Sequence, residues 1–337
     1  MGLDVALLLI SLGVILVSAG FFTNGVEWLG RKLRLTEGAV GSILAAVGTA
    51  MPETVIPLIA ILLGGGEVGK EIGIGAILGA PFMLGTLALL ISGGAVLAFR
   101  RNRAGNYPRL EPDPHVIRRD LFFFLVVYTL AIAAAFLPRP LKLVVALGLV
   151  VAYIYFVYET ITRGRTLDQE EGECEPLYLC KRVDNPPLVL VIVQVLLAFL
   201  GIVGGAKVFV DGVADLSALL GVPAFVFSLL VAPLATEMPE KFNSVIWLAQ
   251  RKDTMALGNI TGAMVFQSSV IPAIGIILTP WVLTETAFLS ALLALASGLV
   301  TYLLLLRRGF LDARFLVVYG GVFYAAFVAA VLTGTIG

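Results

Sequence analysis

Ten apolar runs fill most of this chain, and they leave few folds open to it. They cover roughly 4–28, 37–63, 71–99, 120–137, 141–160, 187–216, 222–249, 254–280, 285–306 and 312–335. About 20 apolar residues in a helix cross the hydrocarbon of a bilayer, and several of these runs are longer, which implies tilt or a break. Hydrophobic residues make up 59% of the chain and charged residues 14%, more apolar surface than a soluble core of this length needs. The sequence therefore reads as an all-α membrane protein with ten transmembrane helices.

Two of the runs carry the same interruption. Gly48-Thr49-Ala50-Met51-Pro52-Glu53 lies in the second, and Ala235-Thr236-Glu237-Met238-Pro239-Glu240 lies in the seventh. Over 45–53 and 232–240 five of nine residues are identical, at an offset of 187. The same offset pairs Asn24-Gly25-Val26 with Asp211-Gly212-Val213, and an offset of 183 pairs Gly75 and Gly79 with Gly258 and Gly262. A Glu at bilayer depth costs roughly 3 kcal/mol on insertion scales, so it needs a partner or a wet cavity. The Pro beside it removes one helical N–H and frees a carbonyl upstream. Paired carboxylates at broken helices in a two-fold repeat point to a cation site at the membrane midplane.

The basic residues orient the chain. Of 23 Lys and Arg, 18 fall in the loops after runs 1, 3, 5, 7 and 9, and only Lys70, Arg139 and Lys142 fall on the opposite side. The positive-inside rule then places both termini outside the cytoplasm. Five runs precede the acidic stretch 161–186 and five follow it, so the second half enters the membrane inverted. The expected domains are a first repeat at 1–160, a cytoplasmic linker at 161–186 and a second repeat at 187–337. Acidic linkers are usually solvated, and this one is read so. Such inverted repeats serve alternating access in many transporters.

Other chemistry finds little support. Cys174 and Cys180 match no zinc or redox spacing and read as free thiols. His115, the sole histidine, lies in a polar stretch, so no His-Glu-x-x-His and no intramembrane Ser–His pair exists. An enzyme is not expected. A net charge of zero gives no reason to invoke nucleic acid. The expected partners are inorganic cations and lipid, with protein partners left unassigned, and the expected location is the cell membrane.

The paired Thr-x-x-Pro-Glu elements in inverted halves resemble the calcium/cation antiporter superfamily, the group that contains the sodium/calcium exchangers. The resemblance implies ten helices in two inverted five-helix repeats and no resident cofactor. It implies transported calcium, or a related divalent cation, with sodium or protons as counter-ion. In the family the two Pro-Glu carboxylates and the Thr four residues before each surround the central ion. Those roles fall here on Glu53, Glu240, Thr49 and Thr236. Calcium takes 6–8 oxygen ligands, and carbonyls near Ala46 and Pro233 are candidates to complete the set.

Departures from the family pattern fall around that centre. The Ser before Pro-Glu is Ala50 in one half and Glu237 in the other. On the third helix the polar positions are Ala80, Pro81 and Leu84; on the eighth, Asn259 is kept, with Ala263, Met264 and Gln267 following. Asn259 and Gln267 are either ligands or interhelical hydrogen bonders, and the threonines either ligate or bond back to their own helix. Glu237 and Lys241 stand in the favourable i, i+4 order for an ion pair; alternatively the ammonium stands where a transported sodium would sit. The glycines are expected to permit close helix packing, and Lys207 is expected to pair with Asp211 one turn on. Sodium-coupled antiport leads, with proton-coupled antiport, or a passive channel or non-transporting membrane protein, as alternatives.

Overall fold

The computed structural model describes residues 2–33, 50–103, 105, 107–164, 175–181, 183 and 185–333. These are nearly all helical: α1 (Gly2–Lys32), α2 (Met51–Leu63), α3 (Gly66–Met83), α4 (Leu89–Ala98), α5 (Pro114–Ala133), α6 (Arg139–Gly164), α7 (Leu188–Leu220), α8 (Ala224–Thr236), α9 (Met238–Ala249), α10 (Asp253–Leu278), α11 (Glu285–Arg308) and α12 (Ala313–Leu332). A π turn, Leu84–Ala88, joins α3 to α4, so Gly66–Ala98 is one continuous span. It follows Pro81, which cannot donate to the ladder, and such turns are frequent at functional sites. One feature departs from the all-α expectation. The pair β1 (Arg109–Leu110) and β2 (Leu311–Asp312) is antiparallel, too short to leave a period in the sequence.

Among the described residues eight helical spans are long and apolar enough to cross a bilayer. They match eight of the ten apolar runs within a few residues at most ends. The second run is seen as α2 alone, 13 residues, because 34–49 lies outside the described residues. The seventh is split into α8 and α9. The largest shift of a boundary is at α5, which begins at Pro114 and not near residue 120. Asp113 caps it by accepting from the His115 N–H at 2.8 Å, with Pro at the first helical position, a start signal that overrides the polar composition. His115, Arg118 and Arg119 therefore sit on the first turns of a helix rather than in a loop.

Packing pairs elements across the two halves. α1 lies against α7, α3 against α8, α5 against both α10 and α11, α6 against α10, and α4 against α12. Among the described residues two large hydrophobic cores result, beside a small cluster of Trp28, Leu177 and Val191. One gathers α1, α2, α7 and α8 with the early part of α3, including Ile15, Ile56, Ile72, Phe209 and Val210. The other gathers α5, α6 and α10 to α12 around Phe82, Phe124, Tyr128 and Trp281. The span Gly66–Ala98 contributes to both and is mostly buried.

Gly75 and Gly79 let α3 approach α8 backbone to backbone. A Cβ at Gly75 would meet the Phe225 carbonyl, and one at Gly79 the Leu229 carbonyl. Ser228 donates to the Ile72 carbonyl at 2.7 Å across the same crossing. Gly73 instead packs on Ile61 and Pro57 of α2. Close packing is thus borne out in the first half. In the second, nothing among the described residues lies within 4 Å of Gly262. Gly79→Val is expected to cost about 1–3 kcal/mol by overpacking, read as a lower thermal midpoint of the detergent-solubilised protein, whereas Gly94→Ala, with nothing near it, should leave the midpoint in place.

The end of the linker is docked. Asn24 and Gln194, both buried, hold it through their amides. The Tyr178 N–H donates to Asn24 Oδ1 at 3.1 Å and the Leu179 N–H to Gln194 Oε1 at 2.9 Å, while Trp28 Nε1 donates to the Glu175 carbonyl at 3.0 Å. Cys180 is a free thiol; Cys174 lies outside the described residues. Asn24 and Asp211 align at the 187-residue sequence offset but do different work, since Asp211 pairs with Lys207 on α7 as expected.

Candidate cation site

Two helices start on the same three residues, 187 positions apart. α2 opens on Met51-Pro52-Glu53 and α9 on Met238-Pro239-Glu240. Pro is tolerated there because the first N–H groups of a helix have no intrahelical acceptor. The preceding residues, Ala50 and Glu237, hold almost the same backbone, φ −80° and ψ 0° against φ −90° and ψ 9°. Each start places a carboxylate in a first turn, where unpaired N–H groups favour negative charge. The expected kink in the seventh run is a break, with α8 ending at Thr236.

Glu53, Glu237 and Glu240 are all buried, as are Thr236 and Gln267. Both carboxylate oxygens of Glu53, Oε1 of Glu237, Oε2 of Glu240 and Oε1 of Gln267 lack a hydrogen-bond partner among the described residues. An amide oxygen and the oxygens of an ionised carboxylate can only accept. Buried acceptors are normally satisfied, and a cation that takes several oxygen ligands would satisfy them together. The charges that bear on Glu53 are those of Glu240, Glu237 and Lys241.

A cavity of about 10 Å³ is lined by Glu53, Thr236, Gln267, Pro233, Ala80 and Ile271, among others. That is room for about one water-sized particle. It lies at the seam of the two cores, since Ile56 and Ala232 on its wall belong to one and Ile271 to the other. Glu53, Thr236 and Gln267 are brought together. Glu240 does not line the cavity, although its charge reaches Glu53. Among the described residues no three His, Cys, Asp or Glu side chains converge as a ready-made metal cage, so any full ligand set draws on hydroxyl, amide and backbone oxygens as well.

Five expected ligands turn out otherwise engaged or out of view. The Pro233 carbonyl is not free: it accepts from the Glu237 N–H at 3.1 Å and from Lys241 Nζ at 3.4 Å. The helix keeps its own bond there because Pro239, and not residue 237, is the one that cannot donate. Asn259 points at α9, donating from Nδ2 to the Glu240 carbonyl at 3.2 Å and to Ser244 Oγ at 3.4 Å. It positions the helix that carries Glu240. Glu237 is tied to Lys241, Oε2 to Nζ at 3.1 Å, with both side chains buried; the expected pairing forms because Pro239 falls in the first turn of α9 and leaves the i, i+4 geometry intact. Thr49 and Ala46 lie outside the described residues.

Two polar groups of α10 had no place in the sequence argument. Ser268, beside Gln267, is buried with an unpartnered Oγ. Thr261 donates to Asp120 Oδ2 at 2.9 Å, and Asp120 also accepts from Arg119 at 2.7 Å. The signal for Asp120 was present, as a lone acid at the edge of the apolar run 120–137.

With this geometry in place, comparison with known proteins is informative. The profile of the family described as "Sodium/calcium exchanger protein" matches residues 3–162 and 190–335. A curated relative, an uncharacterised membrane protein of Methanocaldococcus jannaschii, is 22% identical over 258 residues, 75% of each chain. Among solved structures, the H+/Ca2+ exchanger CAX superposes with a TM-score of 0.73 at 19% identity, covering 98% of this chain and 82% of that one. The sodium-calcium exchanger NCX_Mj superposes with a TM-score of 0.58 at 18% identity, covering 97% and 98%. These structures share the fold.

Proposed function

Since this chain belongs to the sodium/calcium exchanger protein family, whose members are transporters, we propose that it is a secondary antiporter of calcium, or a related divalent cation, centred on Glu53 and Glu240. The observation that carries this reading is the cluster of buried oxygens, unpartnered among the described residues, where two half-helices begin. Thr236 and Gln267 add a hydroxyl and an amide oxygen from the cavity wall, and Thr49 takes the matching role in the first half. The ion enters from one side, and rocking of the two halves exposes it to the other.

The proposed frame is ten transmembrane helices in two inverted repeats, 1–160 and 187–337, joined by the cytoplasmic linker 161–186. Both termini face away from the cytoplasm, and the host is the cell membrane. The packing supports it: exchanging the halves turns the α4–α12 contact into α10–α6 and the α10–α5 contact into α3–α11, both of which exist.

Sodium is the leading counter-ion. Protons are the second reading, favoured by one observation: Ala80 and Leu84, on the third span, are buried and offer no side-chain oxygen for a further sodium. Labelled calcium uptake into proteoliposomes separates the two. A sodium gradient imposed alone is expected to drive uptake at least tenfold above a gradient-free control. Uptake driven by a pH gradient alone moves the protein to the proton-coupled reading. Calcium flux that is passive, with neither gradient accelerating it, overturns antiport.

A further inference from the structure

The ion pair beside the proposed site has more to do than hold α9 in place. Lys241 is 4% exposed and Glu237 fully buried. The ammonium lies between Glu237 Oε2 at 3.1 Å and the Pro233 carbonyl at 3.4 Å. It therefore has two oxygens near it, as a small bound cation would, but it is covalently attached and cannot leave. Pro233 also lines the cavity that Glu53 faces, so the tethered charge is part of the same electrostatic unit.

The formal charges of that unit can be counted. The groups bearing on Glu53 are Glu240, Glu237 and Lys241. Residues 38–50, which precede Glu53 in the chain, contain no Asp, Glu, His, Lys or Arg. With all three carboxylates ionised and Glu237 cancelled by Lys241, the net charge is that of Glu53 and Glu240 together, minus two. Low-dielectric surroundings penalise any uncompensated charge. One divalent cation neutralises the site, and so do two monovalent cations.

We infer that Lys241 is a built-in cation that sets the coupling ratio, so that one divalent ion is exchanged for two monovalent ions with no net charge moved. This rests on the antiport reading above and adds to it a stoichiometry and the residue that determines it. Removing Lys241 leaves minus three, which calls for a third monovalent ion; removing the Glu237 charge leaves minus one, which calls for a single one. The two changes make exchange electrogenic in opposite directions. A pair that only stabilised the fold would lower activity in both variants without any dependence on voltage.

The test is divalent-cation uptake into proteoliposomes clamped with valinomycin at 0, +100 and −100 mV inside, for wild type, Lys241→Gln, Glu237→Gln and the double variant. Wild type and the double variant are expected to be insensitive to potential. Lys241→Gln should accumulate more with the inside positive, and Glu237→Gln more with the inside negative. One net charge per cycle corresponds to about a 50-fold change in the accumulation ratio per 100 mV. If one single variant fails to fold, the other still gives the sign. Potential-dependent uptake by wild type, or single variants with no dependence or the same sign, overturns the inference and leaves antiport standing. No gradient-driven uptake by wild type overturns antiport and the inference together.

Discussion

Replacing Glu53 by Gln is expected to reduce gradient-driven calcium flux by at least about 100-fold, some 2.7 kcal/mol at 1.36 kcal/mol per tenfold. Glu240→Gln should behave alike. The amide keeps the shape of the side chain but removes half of the charge that neutralises a divalent ion. What separates this from a folding defect is the stability of the same variants. Glu53 has two buried oxygens with no partner among the described residues, and a buried charge without compensation destabilises the fold that holds it. Without calcium, Glu53→Gln should melt no lower than wild type. On adding calcium, wild type should gain stability by mass action, and the variant should not. A Glu53→Gln protein that still shifts with calcium would show that the ion binds elsewhere.

The second large effect lies outside the site. Arg103 is buried and gathers three segments: it pairs with Asp253 at the start of α10, donates to the Arg109 carbonyl at 2.9 Å and to the Leu248 carbonyl at 3.4 Å. Asp253 Oδ2 also accepts from the Glu111 N–H at 2.8 Å. Arg103→Ala leaves that carboxylate buried and without its counter-charge, a loss of about 3–5 kcal/mol. The thermal midpoint in detergent should fall on the order of 10 °C. Replacing both residues, as Arg103→Met with Asp253→Leu, should recover most of the loss, because a hydrophobic pair removes the unpaired charge. If the double variant is as unstable as Arg103→Ala, the role of the pair is not electrostatic.

These two cases show what sequence patterns can and cannot carry. Glu53 and Glu240 stood out because a carboxylate in an apolar run is costly, and twice at one offset is hard to explain otherwise. The helices were legible for the same reason, as long continuous apolar runs. The Arg103–Asp253 pair was not, since one partner sits in a polar loop and the other at a helix start, 150 residues away. Nothing in either neighbourhood marks the contact. Asn259 was legible as either a ligand or an interhelical hydrogen bonder, and only its orientation in the fold tells that its Nδ2 grips the backbone of α9. Lys241 was recognised as a partner of Glu237, whereas its reach to the Pro233 carbonyl depends on where α8 stops, which no period in the sequence sets.

The narrowness of the cavity has a consequence for choice among ions. Two carboxylates present much the same field to magnesium and to calcium. A space of about 10 Å³, however, admits an ion only after its hydration shell has been left outside. Magnesium dehydrates reluctantly and keeps several waters in most of its protein sites, while calcium accepts a full set of protein oxygens. For the proposed site, discrimination is then decided in the solvent, by the cost of undressing the ion, before any contact with the protein distinguishes one from the other.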